Sequence, residues 1–363
     1  TQGVSSAASD VYKRQTWKLF TSEEFTGFTH KIKEDIENKD LLFLGTERGL
    51  FATMDGGTSW FRMKNHIPDY CMVRDIAIQP QTNDLVIATH GRGIMVINDI
   101  SPIRSLAKGI ADKDVVLFEN KPIAISTGAY GGGGSPVSGG WYGGNPEDIQ
   151  PIEYYLKERA NKEVKVEIFD AAGKLVQSIP GTKRKGINMV SWNLRYTPPK
   201  TATGSTKMDY GGFIAPMVLP GTYTVKLKVG DKEYTSKLDM VHDKSNKLFS
   251  EEDRRQQYDA AMALYHMHED LYKLVNNINE QQKMIKDNMD SVKRPQSKKL
   301  LKDYNTKLEE LRSTLLATKQ KSIFADEKKL RENITELYAS VAMQECRPTN
   351  LQTARAVSYT HLR

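Results

Sequence analysis

The sequence is poor in several things that would narrow its function. Only two cysteines, Cys71 and Cys346, occur in 363 residues. They fall in different predicted domains and make neither a disulfide framework nor a metal spacing. No run of about 18 apolar residues exists, which excludes a membrane-spanning helix. No signal peptide is visible at the start, although the start does not read as a natural one. The glycine-rich stretch Ser126–Asn145 is not followed by Gly-Lys-Ser/Thr, so it is not a phosphate loop. No aromatic or glycine motif of a nucleic-acid reader accompanies the positive charge, so nucleic acid is not an expected partner. No cofactor and no metal are expected.

What is present is ordinary soluble composition, 39% hydrophobic and 27% charged. A single core rarely exceeds about 250–300 residues, so two or three domains are expected. Both ends look foreign. Asp10-Val11-Tyr12-Lys13-Arg14-Gln15 is encoded by a DNA string whose reverse complement, in another frame, encodes Val357-Ser358-Tyr359-Thr360-His361. Inverted ends of this kind resemble translated transposon ends used to tag DNA for sequencing. Residues 1–15 and 354–363 are therefore set aside as artefact. The formal charge is +7, and setting aside four cations and one anion at those ends leaves +4, concentrated after Lys283. A solvated helix face accounts for it.

Residues 41–99 predict short strands with regular turns: Leu41–Thr46, Leu50–Thr53, Trp60–Met63, Val73–Ile78, Leu85–Thr89 and Ile94–Ile97. Such spacing suggests a sandwich or a propeller. Residues 119–150 read as a glycine-rich linker. Strand signals return at Pro151–Leu156, Val164–Phe169, Leu175-Val176, Asn188–Trp192, Tyr223–Val229 and Tyr234–Met240. Pro220-Gly221 is a type II turn signal before the fifth of these. Residues 151–243 have the size of an immunoglobulin-like sandwich. The period then changes. Ser250 is an N-cap followed by acidic first-turn residues, and Leu264, Leu271, Ile278, Ile285 and Val292 recur every seven residues. Pro295 is expected to end this helix. A second helix carries Leu301, Tyr304, Leu308, Leu311 and Leu315. A third begins near Asp326, carries Leu330, Ile334, Leu337 and Val341, and stops at Arg347-Pro348. Residues 244–353 thus predict an antiparallel bundle. The fold class is multidomain and mainly β, followed by helices.

The most specific signal is Thr53-Met54-Asp55-Gly56-Gly57-Thr58-Ser59-Trp60, an Asp-box of pattern S/T-x-D-x-G-x-x-W. An Asp carboxylate accepts backbone N–H bonds in a tight hairpin, glycine allows positive φ, and the indole packs on the preceding strand. Thr53, Asp55, Gly57 and Trp60 are structural residues on this reading, and Thr58 and Ser59 add side-chain bonds. No residue of the chain is a candidate catalyst. Phe28–Ile103 resembles the terminal blades of bacterial Asp-box propellers, relatives of sialidases and of the sortilin ectodomain. The resemblance rests on the box, on Leu44–Phe51 before it, and on Val73–Ile78, Ala88–Ile94 and Ile97–Pro102 after it. It implies that 16–118 are terminal blades, with upstream blades of the same chain as their partners. Glu167–Val176, Gly186–Asn193 and Pro220–Val225 resemble the immunoglobulin-like fold of flagellar-hook capping proteins, with Trp192 as core tryptophan.

The resemblance implies export to the periplasm, cell surface or medium, and a non-catalytic chain that binds protein or glycan. The alternative is the C-terminal part of a glycoside hydrolase whose active site lies on other blades. His90 and Arg92 are the candidate ligand contacts, since a guanidinium at a blade edge could hold a carboxylate. The competing reading is a hairpin needing Gly91 and Gly93, with Arg92 solvated. Sialidase chemistry needs an arginine cluster and a Tyr–Glu pair, which do not map onto this chain. His266 and Asp270 share a helix face, whereas residues two apart point about 200° away from each other. His268 is read as a seam imidazole. Asn333-Ile334-Thr335 matches a glycosylation sequon but lies on a predicted helix.

Overall fold

The computed structural model describes residues 19–20, 23–25, 27–64, 66–125, 149–204, 214–243, 249–318, 327–344 and 346–360. Residues 1–15, read as artefact, the glycine-rich stretch Ser126–Asn145 and Asp326 lie outside them. The chain divides into two compact units. One runs to Phe118 and includes Glu153–Asn161 and Lys183–Asn188. The other holds Glu119–Ile152, Lys162–Thr182 and everything from Met189.

The first unit begins with a four-stranded antiparallel meander. Its strands are β1 (Thr29–Glu34), β2 (Leu42–Thr46), β3 (Gly49–Thr53) and β4 (Phe61–Met63), in that order. A second meander follows, with β5 (Val73–Ile78), β6 (Leu85–Thr89) and β7 (Ile94–Ile97). Every residue of β2 and β3 is buried, so both faces of the first sheet are covered. One face (Leu41, Phe43, Leu50, Ala52) shares a core with Ile76, Ile78, Leu85 and Ile87 of the second sheet. The other face (Leu42, Leu44, Phe51) packs with Phe20 and Trp60. The far face of the second sheet is apolar along β6 and β7, beside the exposed Asp75 of β5. There Val86 pairs with Val96 and Ala88 with Ile94, yet Ile94 is 73% and Val96 52% exposed.

Helix α1 (Ser101–Ala107) follows, opened by Pro102, whose missing N–H costs nothing in a first turn. β8 (Val115–Leu117) pairs antiparallel with β10 (Gln150–Leu156). A five-stranded sheet has the order β12-β11-β14-β15-β9. Its strands are β9 (Ile123–Ile125), β11 (Val164–Phe169), β12 (Leu175–Pro180), β14 (Gly221–Val229) and β15 (Lys232–His242). β13 (Gly186–Trp192) joins β10 and β8 in a three-stranded sheet. Burial alternates along β10, β13 and β14, as it does when one face of a sheet is wet. Trp192 is fully buried, donates its N–H to the Arg195 carbonyl at 3.0 Å and meets the Tyr223 ring edge-on at 5.8 Å.

Among the described residues, four helices complete the second unit: α2 (Glu251–Asn288), α3 (Pro295–Leu315), α4 (Leu330–Ala342) and α5 (Asn350–Thr360). Ser250 and Asp253 form a reciprocal capping box that opens α2. Leu264, Leu271 and Val275 of α2 share a core with Ile334, Leu337, Tyr338 and Val341 of α4. The loop after β13 joins that core through Ala202 and Ile214, and the Tyr338 hydroxyl donates to the Ile214 carbonyl at 2.9 Å.

Four local expectations change. Pro295 does not end the long helix. That helix stops at Asn288, and Pro295 opens α3, where its fixed φ suits the first turn. The third helix begins at Leu330, with Lys329 as its N-cap, and not near Asp326. A further helix, α5, runs through residues set aside at the C-terminus, and its Ala356 belongs to the α2–α4 core. The segment read as linker from 119 contributes β9, whose three residues pair with β15.

Candidate functional site

The loop between β3 and β4 is the most elaborately bonded turn in the first unit. Thr53 ends β3 with its hydroxyl pointing into the loop. That hydroxyl donates to Asp55 Oδ1 at 2.7 Å and accepts the Gly57 N–H at 3.0 Å. Asp55 Oδ1 also accepts the N–H groups of Thr58 and Ser59, each at 2.9 Å. Oδ2 accepts the Ser59 N–H at 3.1 Å and the Ser59 hydroxyl at 2.5 Å. The Thr58 hydroxyl closes back on the Asp55 carbonyl at 3.1 Å. Such a turn needs two positive φ angles in succession, and Gly56 (+68°) and Gly57 (+89°) supply them. Gly57 is required for a second reason, since a Cβ there would collide with the Phe20 ring.

Trp60 then turns its indole under the loop. The rings of Phe20 and Phe25 meet it edge-on at 6.0 and 5.7 Å, the geometry that sets a positive ring edge against a negative ring face. The four residues singled out by spacing, Thr53, Asp55, Gly57 and Trp60, are thus brought into one closed structure. Its electrostatics follow. Burial raises the proton affinity of Asp55, but the bonds from Ser59, Thr53 and Thr58 outweigh it and hold the carboxyl at about 2. An ionised carboxylate whose lone pairs are filled by such donors has no proton to give near neutrality.

His90 and Arg92 lie in a different turn, between β6 and β7. Both are exposed. Thr89 closes this hairpin, its N–H and hydroxyl bonding the Gly93 carbonyl at 3.1 and 2.6 Å. Gly91 and Gly93 have φ of +77° and +74°, and a Cβ at either would meet nothing within 4 Å. They are needed for backbone conformation alone.

A buried ion pair escapes sequence reasoning. Arg104 of α1 bonds Asp35, just past β1, through Nε at 2.9 and 2.8 Å and through Nη2 at 2.8 Å. Its Nη1 reaches Glu37 at 2.8 Å. Asp35 further accepts the N–H groups of Glu37 and Asn38. Burial acts to raise the Asp35 carboxyl, and Arg104 with these amides lowers it overall. Sixty-nine residues separate the partners, so the only local signal is the Asp35–Asn38 turn.

Among the described residues, no cluster of three or more His, Cys, Asp or Glu side chains could hold a metal ion. On α2, His266 faces Glu269 at 3.4 Å, and His268 is buried with its ring edge-on to Tyr338. No described helix is long and apolar enough to cross a membrane.

No family model matches the chain. No curated protein matches either. Among solved structures, a crystal structure of Salmonella alpha-2-macroglobulin aligns over 58% of this chain at 9% identity, with a TM-score of 0.20. The chain spans only 12% of that protein, and a likeness so slight carries no argument about fold or function.

Proposed function

We propose that β1–β4 and β5–β7 are neighbouring blades of an Asp-box propeller and that the later strands form an immunoglobulin-like sandwich. On this reading the chain is the non-catalytic C-terminal part of an exported protein that binds protein or glycan. The observation that carries it is the second meander. A sheet whose last two strands are apolar on both faces fits an interior sheet, and a propeller is the antiparallel architecture in which every sheet is flanked by two others. One face of β5–β7 has its flanking sheet, and Ile94 and Val96 mark the place for another. The Asp55 loop supports the same assignment, because it acts as a clasp on a blade hairpin. The saturation of its carboxylate favours binding over catalysis.

A second reading has the chain as the end of a glycoside hydrolase whose active site lies on other blades, and the Asp-box is what favours it. Turnover of a fluorogenic sialoside and of other aryl glycosides separates the two for this chain. No turnover, with retention on a glycan or protein array that Arg92→Ala weakens, is the expected result. Hydrolysis by the wild-type chain that Arg92→Ala abolishes would overturn the non-catalytic reading.

A further inference from the structure

The outer half of the α2–α3 hairpin carries two apolar layers, and only one is covered. The covered layer holds Ile278 and Ile285 of α2 against Leu308 of α3, with Leu301 and Leu315 beside them. The other is set by a single bond, from the Tyr304 hydroxyl to Gln281 Oε1 at 2.6 Å. Seven residues return a helix to nearly the same face. Stepping seven back along α2 and seven forward along α3 from that bond sets Leu274 beside Leu311. Stepping one turn toward the hairpin tip sets Met284 beside Leu300. All four, with Tyr304, are exposed, Leu300 at 71% and Met284 at 66%. The core shared with α4 takes Ala261 to Val275 of α2, nearer the start of that helix.

Charge along the hairpin is graded. Residues 281–302, the tip, hold seven Lys and Arg against two Asp. Residues 269–280 and 303–310, the collar below it, hold six Asp and Glu against two Lys. A two-fold axis through the middle of the apolar layer sets the tip of one hairpin on the collar of another. It does so while burying Leu274, Met284, Leu300, Tyr304 and Leu311 of both. We propose that this stripe is the interface of a homodimer, in which two hairpins pack antiparallel as a four-helix bundle. This does not depend on the propeller reading.

Sedimentation velocity of the full chain across the micromolar range tests it. A reversible dimer is expected. Leu300→Glu with Leu311→Glu should raise its dissociation constant by at least ~10-fold, with far-ultraviolet circular dichroism unchanged because both side chains start out exposed. Lys298→Glu with Lys299→Glu should weaken it too, and adding Glu309→Lys with Glu310→Lys should restore it. A chain that is monomeric throughout overturns the proposal. So does a dimer indifferent to the Leu300 and Leu311 changes, or one that Ile94→Lys dissolves instead. A charge swap without rescue overturns the antiparallel arrangement. Binding of a strictly monomeric chain to phosphatidylglycerol vesicles, lost in Leu300→Glu, would assign the stripe to a membrane surface and overturn it as well.

Discussion

At the scale of single residues, Asp55 makes the sharpest claim. Its folded carboxyl titrates at about 2, below the ordinary 3.8. A group held down in this way contributes stability that is fully present above the ordinary value and is lost as pH falls toward the folded one. Acid titration of the wild-type chain is therefore expected to show a loss of stability between about 3.8 and about 2 that Asp55→Asn lacks. Urea midpoints measured across that window check it. Gly57→Ala meets two penalties, a positive φ and the Phe20 ring. It should cost at least about 1–3 kcal/mol, whereas Gly93→Ala, where only φ is at issue, should cost less. Trp60→Ala empties a buried site under two aromatic rings and should cost about 3–5 kcal/mol. Thermal melts of the three variants order them. The box residues were legible from sequence because all their bonds are local. Phe20 and Phe25, which cover the indole, were not, because no pattern in the chain says which loop a distant ring will meet.

Elements divide along the same line. The strands β2 to β7 and β10 to β15 agree with their sequence signals to within a few residues, since turn residues bound them and most are long enough to show an apolar run or an alternation. β1 reads Thr-His-Lys-Ile-Lys-Glu, with one aliphatic residue. It is a strand because β2 pairs with it from Thr29 to Glu34. β8 and β9 have three residues each, too few for any period, and their partners lie far along the chain. Pro295 is ambiguous in sequence because proline both stops one helix and opens another, and only the position of the cap separates the cases. The Asp35–Arg104 pair joins the end of β1 to α1 and is nearly inaccessible on both sides. Arg104→Met leaves a buried carboxylate without its cation and should destabilise the first unit by about 3–5 kcal/mol. The double variant Asp35→Leu/Arg104→Met should recover most of that loss, which a double-mutant cycle measures.

For the molecule as a whole, two units with separate cores predict departure from two-state unfolding. Calorimetry of the wild-type chain is expected to resolve more than one transition, with Arg104→Met lowering only one. The edge strand β9 has a consequence for how the chain is assembled in time. Ile123–Ile125 leaves the ribosome early, but its partner in the sheet, Met240–His242, is made more than a hundred residues later. Its amides have no ladder until every other strand of that sheet has been translated. A contact of such long range forms slowly, so the oldest strand of that sheet is the last to be seated. A nascent chain halted before Met240 would hold it unpaired, open to proteases and to neighbouring chains.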